Sequence, residues 1–208
     1  MLATTVSRRE AGRDLDALFW YFEEPALVAS TAASGGGVGL RQWVLNAQVD
    51  HDYRRTDVDS YASELAAGFS LSGPGVVMLT AARVADATSA QDGDVVVQAT
   101  VGLTQPTWAA EDVTVTSEMA PGTINIVAVL PVRFESGALL NALVTVTEAK
   151  AQALFDARID GTGTASDAVT IVCVGETFER FAGPRSLWGS RLARATHRAV
   201  LAGIGANR

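Results

Sequence analysis

The stretch Gly122-Thr-Ile-Asn-Ile-Val-Ala-Val-Leu130 and the segment Ser136-Gly-Ala-Leu-Leu-Asn-Ala-Leu-Val-Thr-Val-Thr-Glu-Ala-Lys-Ala-Gln-Ala-Leu-Phe-Asp-Ala157 decide the fold. From Ile124 to Leu130 the chain is apolar except at Asn125, the pattern of a strand buried on both faces. The run from 136 to 157 is too long for a strand. Rich in alanine and leucine, it reads as a helix with Ser136 as N-cap, despite the β-branched residues Val144 to Thr147. Its first turns are apolar on nearly every side, which predicts burial against more than one partner.

On the N-terminal side strands predominate. Leu18-Phe-Trp-Tyr-Phe22 and Ala26-Leu-Val-Ala-Ser-Thr31 flank Glu23-Glu24-Pro25, which predicts a hairpin. Trp43 to Val49 reads as a strand carrying Asn46 and Gln48 on one face, and Val76 to Thr80 and Asp94 to Leu103 as two more, with a turn at Gln91-Asp92-Gly93-Asp94. Between them, Asp57 to Phe69 has helical spacing, with Asp57 as N-cap and Val58, Tyr61, Leu65 and Phe69 along one side. Val169 to Val174 supplies a late strand, and Leu187 to Ala202 a closing helix. Strands gathered early and helices placed late do not make the alternation of a parallel doubly wound sheet. The expected class is α+β: a mixed, largely antiparallel sheet or pair of sheets covered by helices, in a single domain over 1–208 with residues 1–14 flexible.

Composition excludes several functions. With 16 basic and 23 acidic residues the net charge is -7, so the positive field that draws nucleic-acid backbones is missing. Cys173 is the single cysteine and sits in an apolar run, the setting of an inert buried thiol. His51 and His197 have no partner at metal-ligand spacing, which removes support for zinc or a Ser-His-Asp relay. No signal-peptide pattern and no run of roughly 20 apolar residues is present, so a cytoplasmic protein without a membrane segment is expected. Gly35-Gly-Gly-Val-Gly39 with Arg41 fits neither a P-loop nor a dinucleotide fingerprint and reads as a flexible turn. If functional, it approaches a large ligand through its backbone.

Three segments set polar groups into apolar elements: Gly122 to Ile126, Val146 to Lys150, and Thr162 to Val169. Strand alternation puts Thr123 and Asn125 on one face. On the 136–157 helix, Asn141, Thr145, Glu148 and Gln152 form a stripe while Lys150 points to nearly the opposite side. That stripe faces a cleft or another polar element, because buried polar groups must be paired. A buried Lys150 calls for a carboxylate from a neighbouring strand. Thr162-Gly-Thr-Ala-Ser-Asp167 is a turn dense in hydroxyls, which ordinary turn capping also explains.

Taken as an ordered series, the chain resembles the adenosylcobinamide amidohydrolases of cobalamin salvage, from Leu27 to Leu201. The pieces are Ser30-Thr-Ala32 with the glycines after it, Leu45-Asn46, Gln48-Val49, Thr80-Ala-Ala82, Thr100-Val-Gly-Leu103 with Pro106, Gly122-Thr-Ile-Asn-Ile126, Asn141-Ala142, Thr147-Glu-Ala-Lys150, Thr162-Gly-Thr164, Asp167-Ala-Val169 and Ala182-Gly-Pro184. The resemblance implies hydrolysis of the amide joining the corrin side chain of adenosylcobinamide to aminopropanol, giving adenosylcobyric acid. It makes the corrinoid a substrate, with no resident cofactor or metal. It assigns general acid or base work to Glu148 or Asp167. Asn125 and Asn46 would hold the amide or its oxyanion, and Thr123 and Thr164 would be hydroxyl donors or a nucleophile. Gly36, Gly37, Thr80, Asn141, Lys150 and Gly163 are expected to contact substrate. Arg83, Arg185 and Ala165-Ser166 depart from the family pattern, which admits a second reading: a relative that binds a corrinoid or another metabolite without cleaving it. Association into a homodimer through an exposed strand edge is compatible with the sequence.

Overall fold

The computed structural model describes residues 1–112 and 122–206. Its strands are β1 (Thr4–Glu10), β2 (Arg13–Ser30), β3 (Gly37–Gln48), β4 (Gly75–Thr80), β5 (Thr88–Asp92), β6 (Val95–Val101), β7 (Ile124–Leu130), β8 (Arg133–Phe134), β9 (Ala168–Cys173) and β10 (Phe178–Glu179). Its helices are α1 (Val58–Gly68), α2 (Ser136–Asp156) and α3 (Leu187–Ala206). The main sheet runs β4-β3-β2-β9-β7-β6-β5, with β1 on β2, and β8 and β10 pair separately. Within it β3/β4 and β7/β9 are parallel and the other pairs antiparallel. The α+β expectation, with a mixed and largely antiparallel sheet, is what the structure has.

One strand organises the sheet. Residues 17–21 of β2 pair with β3, while residues 26–30 pair with β3 on one side and β9 on the other. Glu23-Glu24-Pro25 therefore does not turn a hairpin, as the turn signal suggested. It is a bulge within one continuous strand, because each half of β2 finds partners on both flanks and the Gln42 side chain closes the gap: its Nε2 donates to the Phe22 and Glu23 carbonyls. Around this shared strand the sheet folds into two limbs, β1/β2/β3/β4 and β9/β7/β6/β5. The limbs face each other, as side-chain bonds from Asn46 to Thr100 and from Thr170 to Met78 record.

Four layers follow. The inner layer packs Trp20, Phe22 and Val28 with Val44, Met78, Val127 and Val172. Outside one limb, α1 buries Tyr61, Ala62 and Leu65 on Trp43, Leu45 and Val77. Outside the other, α2 and α3 cover Ile124, Ile126, Ala128 and Leu130 with Leu139, Val146, Leu154 and Leu192. Strand β7 is thus buried on both faces, and α2 packs against both the sheet and α3, but the burial expected around its first turns stops at Leu140 and Val144, which are exposed.

Other local readings change. Residues 4–10 are not loose; they pair with 13–19 in a hairpin turned by Ala11 and Gly12. The segment read as a flexible glycine turn enters β3 at Gly37. Asp57 holds the N-cap position of α1 without capping it, because Arg55 takes its carboxylate at 2.6 and 2.9 Å. Ser136 is the first residue of α2, not its cap, since β8 runs into the helix through Glu135. Cys173 is buried, and desolvation pushes its thiol up to about 11, consistent with an inert role. Among the described residues no helix is long and apolar enough to cross a membrane.

Two expected outcomes check this packing. Leu139→Ala should lower unfolding stability by about 2–5 kcal/mol, while exposed Leu140→Ala stays within about 0.5 kcal/mol, both read by urea denaturation. Hydrogen bonds from Arg194 above all, and from Arg198, hold the Asp92 carboxyl down to about 2 from 3.8. A folded-state value below the unfolded one stabilises at higher pH, so this contribution should fade as pH falls from about 4 to 2. Asp92→Asn should flatten that part of the stability profile.

Candidate active site

The sheet's two parallel pairs end near one another. Beyond the C-terminal ends of β3 and β4, and at the N-terminal ends of β7 and β9, lies a cavity of about 430 Å³. Val49, Tyr53, Val58 and Met78 give it apolar walls, and Thr31, Thr80, Thr123, Asn125, Ser166 and Asp167 supply polar groups.

Asn125 reaches the cavity because strand alternation turns it to the inner face, away from Ile124 and Ile126. It is 1% exposed. Its Nδ2 donates to Asn46 Oδ1 at 2.8 Å and to the Leu79 carbonyl at 2.9 Å, and Asn46 Nδ2 donates onward to Thr100 Oγ1 at 3.0 Å. Both amide protons are therefore spent inside the protein. Asn125 Oδ1, also buried, makes no hydrogen bond to any described residue. The group left unpaired is an acceptor, which suits an N–H and not a developing oxyanion. Asn46 is a support behind Asn125 rather than part of the wall.

The hydroxyl-rich turn grips the start of β7. Asp167 Oδ1 accepts from the Ile124 N–H at 2.9 Å and from the Thr164 hydroxyl, and Oδ2 accepts from the Thr164 N–H at 3.1 Å and from Lys150 Nζ. Those four donors use the lone-pair sites of a carboxylate. The ion pair is buried, with Lys150 and Asp167 side chains 8% and 10% exposed. The carboxylate foreseen for Lys150 is Asp167. Gly163 lies over this pair, where a Cβ would collide with both charged groups. The Thr164 hydroxyl also reaches the Gly122 carbonyl at 2.8 Å, and Thr162 and Gly163 pair with Thr107. Thr123 Oγ1 and Ser166 Oγ stand 2.8 Å apart at the cavity wall, either able to donate to the other.

Of the residues singled out in the sequence, Thr123, Asn125, Thr80 and Asp167 line the cavity, with Lys150, Gly163, Thr164 and Asn46 directly behind them. Glu148 and Asn141 are exposed on α2, and Glu148, 200° around the helix from Lys150, points away from Asp167. Gly36 packs on the Ala32 carbonyl and Gly37 opens β3; neither lines the cavity. Thr145, in the same stripe as Glu148, is buried and donates to the Ala182 carbonyl, so the stripe faces a polar element there and solvent elsewhere. The sequence reading missed Tyr53 and Met78, whose pattern is that of a loop aromatic and an ordinary core methionine. It met Ser166 as one hydroxyl of the turn from 162 to 167 and as a departure from a motif, not as a residue of the site.

Fold and site define an α+β protein with a deep, partly apolar cavity whose polar wall carries a buried amide acceptor and paired hydroxyls. A family model described as adenosylcobinamide amidohydrolase matches residues 2–208. The chain belongs to the adenosylcobinamide amidohydrolase family. It is similar to a Halobacterium salinarum protein named adenosylcobinamide amidohydrolase, 31% identical over 151 residues that cover 69% of this chain and 64% of that relative. The match thus spans under two thirds of the relative's length.

Removing Lys150's charge would leave Asp167 buried without its cation. Lys150→Met is expected to cost about 3–5 kcal/mol by denaturant unfolding, and Gly163→Ala to destabilise in the same direction.

Proposed function

We propose that this cavity hydrolyses the amide between the corrin side chain and aminopropanol in adenosylcobinamide, releasing adenosylcobyric acid, with the corrinoid as substrate and the protein acting in the cytoplasm. The observation that carries this reading is the buried Asn125 carbonyl, an acceptor on a cavity-lining residue with no donor among the described residues. A secondary amide brings the N–H it lacks. Burying that acceptor is costly unless a ligand pairs it, so binding an amide recovers what folding left unpaired.

Size supports the same reading. At about 430 Å³ the cavity is near the lower end of the roughly 300–1,000 Å³ pockets that take drug-sized molecules. A corrinoid is far bulkier, so the aminopropanol arm enters and the macrocycle stays at the mouth. In the reaction water adds its hydroxyl to the carbonyl carbon, the C–N bond breaks, and a proton reaches the leaving nitrogen. The Thr123 and Ser166 hydroxyls, each able to accept and donate, are placed to pass that proton. Asp167 has no free lone pair for this task. Its role, with Lys150 and Thr164, is to hold the Gly122-Thr123-Ile124 backbone so that the Thr123 hydroxyl faces the cavity. Arg83 and Arg185, which motivated a non-cleaving reading, are both exposed and outside the cavity wall.

Incubation of the purified protein with adenosylcobinamide, followed by mass spectrometry, should give adenosylcobyric acid and aminopropanol in equal amounts; intact substrate across the pH range sinks the proposal. Thr123→Val keeps the side-chain shape and should lower kcat about 100-fold or more. Full turnover by that variant would remove Thr123 from the mechanism.

A further inference from the structure

We infer that the outer face of α2 is a twofold dimer surface, and that the partner it fits is a second copy of this chain running antiparallel to the first. At about 100° per residue, Leu140, Val144, Ala151 and Phe155 fall within about 60° of one another. That stripe lies opposite the buried line of Ala142, Val146, Ala149 and Ala153, so it points to solvent along the helix. Leu140, Val144 and Phe155 are 53%, 51% and 77% exposed. A solvated helix face is ordinarily polar, yet here Asn141, Glu148 and Gln152 keep to one side of the stripe. Leu140, Val144, Thr147 and Ala151 alternate spacings of four and three, the pattern of a seam that packs on another helix.

The stripe matches itself when reversed. A copy turned about the midpoint of α2, between Thr147 and Glu148, sets Leu140 against Phe155 and Val144 against Ala151, and each pairing occurs twice, as a twofold interface requires. At the C-terminal end Phe155, Trp108 and Ile159 line an open groove of about 510 Å³, and the reversed copy brings its Leu140 there. Charge favours the same orientation. Residues 180–185 run beside the N-terminal half of α2, where the Ala182 carbonyl accepts from Thr145 and Gly183 lies next to Asn141. That end carries Arg180 and Arg185 against Glu135, and the other carries Asp156 and Asp160 against Arg158, so antiparallel copies bring unlike ends together. The area is enough for a reversible dimer. A strip along the 21 residues of α2, about 31 Å long and roughly 10–12 Å wide, covers about 300–400 Å². Phe181, 74% exposed, and Trp108, 48% exposed, bring it near the roughly 600 Å² per partner at which specific interfaces begin. An anionic bilayer is the wrong occupant, because Glu148 and Asp156 flank the stripe and the net charge is -7.

Sedimentation velocity of the whole chain, from about 1 μM to several hundred micromolar, should show a monomer passing reversibly into a dimer. Val144→Arg should keep the protein monomeric throughout; because Val144 is exposed, the melting temperature of dilute samples should match that of the unaltered protein. Ala151→Glu should abolish the dimer in the same way and stands in if Val144→Arg fails to fold. Orientation is read by cross-linking, since the natural thiol of Cys173 is buried. On mild oxidation, a mixture of Val144→Cys and Ala151→Cys proteins should form the mixed disulfide in preference to either symmetric one. A chain that stays monomeric at every concentration overturns the inference. So does a dimer that survives both charged substitutions, or one in which the mixed disulfide is not preferred. None of these readings depends on turnover, so the proposed reaction stands or falls separately.

Discussion

The side chain of Asn125 ties the two limbs of the sheet together, and the cavity takes its form from that tie. Through Nδ2 it reaches Asn46 on β3 and the Leu79 carbonyl on β4, and through Asn46 the connection extends to Thr100 on β6. Two neighbouring pairs of strands, β3/β4 in one limb and β6/β7 in the other, are joined by one chain of polar side chains. Such a chain is costly to bury unless complete. One oxygen of the chain, Asn125 Oδ1, has no partner among the described residues, and it belongs to a residue of the cavity wall. The strongest constraint on the fold and the most specific feature of the site are therefore two ends of the same side chain.

A second device sets the opposite wall. The Asp167 carboxylate gathers its own turn, the first amide of β7 and a lysine from α2, so three elements meet on one side chain. Desolvating a charge pair rarely adds stability over an apolar substitute; what it adds is registry, since only one arrangement satisfies every donor. Here the registry concerns the stretch Gly122 to Ile124, which presents Thr123. Gly163 completes the arrangement by having no side chain where the pair must lie.

The sequence carried the class of fold well and its bends badly. Apolar runs such as Ile124 to Leu130 and Ala168 to Cys173 depend on burial, and burial writes itself into composition. Glu23-Glu24-Pro25 looks the same in a hairpin turn and in a bulge, because the difference lies in which distant strands pair on either side. Alternation placed Asn125 beside Thr123, and helical geometry separated Glu148 from Lys150. No local rule could say that Asn46 would spend Asn125's protons, leaving it an acceptor, or that Asp167 would be saturated. Tyr53 had no periodic signal at all. Its place in the wall comes from a cavity assembled by residues up to more than a hundred positions away.

The continuity of β2 bears on how the pocket can respond to what enters it. Both limbs hang from one backbone, so they cannot swing apart as separate domains do without breaking the ladder on either side of the bulge. The distance between the walls is then gauged at the bulge, where Gln42 holds the Phe22 and Glu23 carbonyls. Discrimination among side arms of different length would then be inherited from the curvature of a single strand, and changes near that bend could retune it without altering any residue in the wall.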